Sequence, residues 1–161
     1  MSKWIIPSVL LMSSLIVGCR SSEIRPMSGV NRSLQQGTDS RRYPSLGQRW
    51  LASMASRNGR ERVELIDLRR GTPVPLNGIN QADSQTISLS VSGDGQRIAL
   101  IRQRNGRTEL MLYRRTVNAL QKLTLDPPGV PHAVSLDGNG RLLAVQVSRR
   151  GRWDVDLLRL P

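Results

Sequence analysis

Arginine is the residue type best placed to do chemistry in this 161-residue chain. It recurs in one phrase, Arg57-Asn58-Gly59-Arg60, Arg104-Asn105-Gly106-Arg107 and Arg149-Arg150-Gly151-Arg152, at spacings of 47 and 45 residues. A guanidinium presents a planar fork of donors that meets carboxylate or phosphate two oxygens at a time, so a row of them points to recognition of anions. The inventory for catalysis is thin. His132 is the only histidine, and it follows Pro131 in what reads as a loop between repeats, with no second histidine and no free thiol to complete a zinc set. The serines stand without a base in a recognisable context. Asp94 and Asp137, each before a glycine, read as turn residues that cap their own backbone. Asp94-Gly95 and Asp137-Gly138-Asn139 are too sparse in oxygen ligands for a calcium loop. No catalytic residue, metal site or cofactor is expected.

The elements that must carry these arginines follow from the repeat. Seven residues before each hairpin glycine stands an alanine beside an aliphatic residue, in Leu51-Ala52, Ile98-Ala99 and Leu143-Ala144. After it comes an alternating run: Val63-Glu64-Leu65, Leu110-Met111-Leu112, Val155-Asp156-Leu157. Each unit is thus strand, two-residue turn, strand, and Asn-Gly suits a primed turn because both of its positions need positive φ. Ser92-Gly93-Asp94-Gly95 precedes the second hairpin and Ser135-Leu136-Asp137-Gly138 the third. In that alignment Tyr43-Pro44-Ser45-Leu46-Gly47 is a degenerate first copy, and unit three carries two extra residues around Asn139 and Gly140. Arg-rich turns then lead to short segments ending at Leu76 and Leu123. Four short strands in about 45 residues describe a propeller blade, so the expected fold is all-β: three four-stranded antiparallel blades over 43–80, 81–125 and 126–161.

The order Leu-Thr, spacer, apolar-Ser-x-Asp-Gly-x-x-Ile-Ala, Arg-x-Gly, alternating strand resembles the TolB-type β-propeller repeat. Leu123-Thr124, Val134 to Gly138 and Ser90 to Ala99 carry the resemblance, which covers roughly Tyr43 to Leu160. Gly93 or Leu136 replaces the proline usual before Asp-Gly, and Val91 or Val134 the usual aromatic. The resemblance implies a propeller that offers one face to partners, and a complete ring of six blades.

Residues 1–18 read as a secretory leader: Lys3, an apolar stretch from Trp4 to Val17, then Gly18 before Cys19. Leu15-Ile16-Val17-Gly18-Cys19 resembles the bacterial lipobox, in which the cysteine is acylated and becomes the first residue of the mature chain. Cys19 is the only cysteine, so no internal disulfide forms. Several acyl chains on one residue anchor a protein stably. The expected location is therefore the periplasmic side of a bacterial envelope membrane, the outer one favoured because Arg20 stands where an aspartate marks inner-membrane retention in some bacteria. Residues 19–42 read either as a lipid-anchored tether or, over 29–34, as an outer strand ending at Leu34.

Removing the leader takes Lys3 from the 24 basic residues and nothing from the 12 acids, so the mature net charge is +11. The hairpin tips would present Arg57, Arg60, Arg104, Arg107, Arg149, Arg150 and Arg152 on one face. Anionic lipid headgroups, an acidic envelope protein or polymer, and a merely solvated basic surface all accommodate that charge. Nucleic acid does not fit an exported chain whose basic residues lack interleaved aromatics. Three blades leave apolar faces uncovered, and closed propellers need at least four. A homodimer completing a six-bladed ring, a heteromeric partner, or an open arc would each answer that need.

Overall fold

The computed structural model describes residues 24–161; the leader and the lipidation site at Cys19 lie outside the described residues. A helix, α1 (Ser28–Gln36), precedes eleven strands. Blade one is β1 (Ser40–Leu46), β2 (Trp50–Arg57), β3 (Arg60–Asp67) and β4 (Thr72–Val74). Blade two is β5 (Ser84–Val91), β6 (Arg97–Arg104), β7 (Arg107–Arg114) and β8 (Ala119–Leu123). Blade three is β9 (Val130–Leu136), β10 (Leu142–Arg149) and β11 (Arg152–Arg159). Each sheet is an antiparallel meander in chain order, and blade three has three strands where the others have four.

The hairpins form as the Asn-Gly phrase predicts. Arg57 pairs with Arg60, Arg104 with Arg107 and Arg149 with Arg152, each across two residues of positive φ. Even Arg150 adopts φ 48 in the third. The turns between first and second strands align differently from the sequence reading. Leu46 pairs with Leu51, Val91 with Ile98 and Leu136 with Leu143, so Ser45, Ser90 and Ser135 are the equivalent serines, and Ser92-Gly93-Asp94-Gly95 matches Asp137-Gly138-Asn139-Gly140. Units two and three therefore have turns of equal length, and it is unit one whose turn is two residues shorter. The shared Ser-x-Asp-Gly letters had masked this, because a local match cannot see which carbonyl closes the turn: Arg97 for Ser92 and Leu142 for Asp137.

The segment 29–34 is neither strand nor tether. It lies within α1, where Val30 and Leu34 stand one turn apart and are the only residues not fully exposed. Ser33 Oγ donates to the Gly71 carbonyl at 2.7 Å, and the Leu34 carbonyl accepts from Arg41 Nη1 at 2.8 Å. Arg41 Nε in turn holds Glu64 at 2.8 Å, so α1 is pinned to the outer face of blade one. Blade one itself begins at Ser40, inside the stretch read as linker.

The apolar cores lie between blades. Ala52, Met54, Val63 and Leu65 of blade one meet Ile98, Leu100, Met111 and Tyr113 of blade two. Ala99, Ile101, Leu110 and Leu112, on blade two's other face, meet Leu143, Val145 and Val147 of blade three. Trp50 closes the first core under Gly95, whose φ of +68 and absent side chain are both required: a Cβ there would stand 2.5 Å from the indole.

Two outcomes follow. Gly95→Ala combines a left-handed backbone penalty with overpacking and should cost roughly 2–4 kcal/mol, whereas Gly106→Ala, with open space around it, should cost only about 1–2 kcal/mol. Urea unfolding of the two variants checks the difference. The Asp137 carboxylate accepts the Leu142 and Arg141 N–H groups at 2.9 and 2.7 Å, which holds its pKa below the ordinary 3.8. A depressed folded-state pKa stabilises above the unfolded value and is lost as pH falls through the folded one. The thermal midpoint should thus fall below about pH 4, and Asp137→Ala should blunt that fall.

Candidate functional site

The structure places all seven hairpin arginines at one end of the blades, and it divides them into two kinds. Arg57, Arg104 and Arg149 end the second strand of their blades, and each reaches back to the segment that leads into its own first strand. Arg57 Nε bonds Asp39 at 2.6 Å, and Arg104 pairs with Asp83 at 2.5 Å. Arg149 donates to the carbonyls of Pro127 and Pro128 at 2.8 and 3.2 Å while gripping both oxygens of Asp156 at 2.9 and 2.5 Å. These three are clamps that tie inner strand to hairpin. Their effect shows in the acids: hydrogen bonds from Arg57 and then Arg62 hold the Asp39 carboxyl below the usual range, and Arg149 does the same to Asp156. Asp156 reciprocally raises the pKa of Arg149.

The second kind is free. Arg60, Arg107 and Arg150 are exposed and have no acidic partner among the described residues. Arg152 reaches only Asp154, at 3.1 and 3.5 Å, with 81% of its side chain still in water. The row of seven is therefore a set of three structural clamps and a thinner display of three or four cations, one or more on every hairpin.

A second group of arginines lies at the opposite end, and reading the hairpins missed it. Arg69 and Arg70 follow β3, Arg115 follows β7, and Arg141 and Arg159 flank blade three's strands. None of them forms a salt bridge among the described residues, although the charges of Arg70 and Arg115 help to hold the Asp67 and Asp94 carboxyls below their ordinary range. Arg49 Cζ and Arg115 Cζ stand 4.8 and 4.3 Å from the centre of the Trp50 ring, beside a hollow of about 350 Å³ lined by Gln48, Gly93, Asp94 and Gln96. Arg49 is also held by Asp67 at 2.7 Å. The signal was present as Arg69-Arg70 and Arg114-Arg115 at 45-residue spacing, but without the fold it read as turn composition.

His132 sits at the bulge in β9, exposed, with its ring 5.0 Å from that of Trp153. Asp94 accepts from Ser92 Oγ at 2.6 Å and from the Gln96 N–H at 2.9 Å, the self-capping role its turn context suggested.

No protein-family model matches the chain, and no curated protein sequence matches it. Among solved structures it is similar to TolB from Acinetobacter baumannii, with a TM-score of 0.55 and 18% identity over 72% of this chain and 29% of that one. A putative TolB from Agrobacterium tumefaciens gives 0.53 and 18%, over 69% and 39%. An acylaminoacyl peptidase solved with a chloromethyl ketone gives 0.50 and 14%, over 70% of this chain and 18% of that one. The chain spans well under half the length of each. Likeness at this identity speaks to architecture, and it agrees with blades whose strand order, hairpins and inter-blade cores have just been described: the chain folds as three blades of a TolB-like β-propeller.

Proposed function

We propose that the protein is a lipid-anchored lipoprotein of the bacterial cell envelope, held at the periplasmic side of the membrane through Cys19, and that its propeller domain is a binding and scaffold module for an acidic protein or an anionic lipid or polymer. The domain recognises and does not catalyse. The observation that carries this reading is the unneutralised charge on successive hairpins at Arg60, Arg107 and Arg150, left over after the fold has taken its own clamps from the same phrase. An anchor that holds such a surface near anionic headgroups or their ligands raises its local concentration, and each basic residue near a charged membrane adds about 1 kcal/mol. The leader and the Leu-Ile-Val-Gly-Cys pattern support the location. A second reading, a structural subunit in which the basic end is incidental, draws on the apolar face that blade three leaves open.

Two experiments test the proposal. Arg60→Glu, Arg107→Glu and Arg150→Asn together should abolish salt-sensitive binding to vesicles containing phosphatidylglycerol or to polyglutamate, with the unfolding midpoint unchanged. Arg57→Ala, Arg104→Ala and Arg149→Ala should instead lower that midpoint by removing the clamps. Binding by the first triple variant with an undiminished salt dependence would end the recognition reading. Separately, Cys19→Ser should move the protein from the membrane to the soluble fraction of fractionated cells; retention on the membrane would rule out the acyl anchor.

A further inference from the structure

We infer that two copies of this chain close head to tail into a six-bladed ring, with the open face of blade three on one copy docked against the inner strand of blade one on the other. The inference does not depend on the basic surface. It starts from a contact the chain makes twice within itself. Ser45 Oγ accepts the Val91 N–H at 3.0 Å, joining the inner strands of blades one and two. Ser90 Oγ accepts the Leu136 N–H at 2.9 Å, joining blades two and three. Both acceptor and donor advance by 45 residues. The next acceptor in the series is Ser135, which is exposed, and the donor that precedes the series is the N–H of Leu46.

The side chains tell the same story. Val91 and Leu136, each covered by the blade before it, are 3% and 8% exposed, whereas their counterpart Leu46 is 70% exposed. Leu110 and Leu112 are buried beneath blade three, whereas their counterparts Val155 and Leu157 are each 67% exposed. The apolar face of blade three and the inner strand of blade one at Leu46 are thus left in water where the equivalent surfaces inside the chain are covered. A heterologous contact of this kind closes into a ring only when the arc divides a full turn, as two three-blade halves of a six-bladed propeller do.

Helix α1 fits the same ring. Within the chain, the segments 75–83 and 124–129 precede an inner strand and wedge Ile79 and Leu125 into the cores between blades. α1 precedes β1 in the same way and lies on the outer face of blade one, so in the ring it fills the outer gap opposite Trp153 and Val155 of the second copy. Two copies of net charge +11 repel, so screening by salt should tighten the dimer, the reverse of its effect on anion binding.

Residues 24–161 contain every element described and no cysteine, and they suit the test. Light scattering should give twice the chain mass, with a dissociation constant that falls as salt is raised and that Leu157→Arg increases at least about tenfold. Ser135→Cys and Leu46→Cys, both at exposed positions, should form a disulfide under mild oxidation when the two variants are mixed. Neither should cross-link alone. A monomer at every concentration and salt would overturn the inference, as would Ser135→Cys linking to itself, which would mean face-to-face pairing of two third blades. Mass growing without limit as concentration rises would overturn closure.

Discussion

Face-to-face packing of one twisted sheet on the next is the contact on which this molecule rests. A blade of three or four short strands has no interior of its own; its aliphatic side chains point to both faces, and both must be covered by something else. The two apolar clusters accordingly fall between blades one and two and between blades two and three. Close approach near the axis depends on backbone as much as side chain. Gly93 donates to the Gly138 carbonyl at 2.8 Å, and a Cβ on Gly93 would stand 2.8 Å from that same oxygen. The serine bonds from inner strand to inner strand fix register along this seam, and the clamping arginines fix each hairpin to the segment that feeds its blade.

That arrangement explains how the positive charge is used. A thin β-domain with no phenylalanine has little apolar surface to spare, and it uses guanidinium groups as cross-ties where a larger core would use packing. Arg97 spans from the Gly140 carbonyl to that of Pro161, and Arg102, nearly buried, joins Glu109 and Gln81. Exposed ion pairs contribute little each, so the fold draws on many. Arginines that form no salt bridge stand at both ends of the blades, and the end bearing the hairpins is the one for which binding is proposed.

The two outer faces of the arc are finished differently. On blade one the positions facing away from the core hold Ser53, Glu64 and Ile66, buried with the Arg41 network and α1 alongside. On blade three the equivalent outward direction carries Trp153, Val155 and Leu157 in water. A polar, helix-covered side and an open apolar side give the arc a direction, and a directed arc joins others end to end more naturally than back to back.

Much of this was legible in the chain itself. Asn-Gly between alternating runs dictates a primed hairpin whatever surrounds it, because the positive φ values are a local demand, and three copies at blade spacing name the architecture. What the sequence could not decide is which residues share a neighbourhood. Helix α1 was hidden because a nine-residue polar segment has no intrinsic call on either helix or strand; its conformation is set by Gly71, Arg41 and the face beneath it. The register of the Asp-Gly turns depended on backbone partners across a hairpin, not on matching letters. Most of all, Arg57 and Arg60 are chemically identical and three residues apart, yet one is a clamp on Asp39 and the other is free. The sequence by itself determined that arginines would crown every hairpin. Only the tertiary structure decided which of them are spent on the fold, because an ion pair is made by proximity in space, and Asp39, Asp83 and the Pro127 carbonyl reach their arginines only after the inner strands have docked.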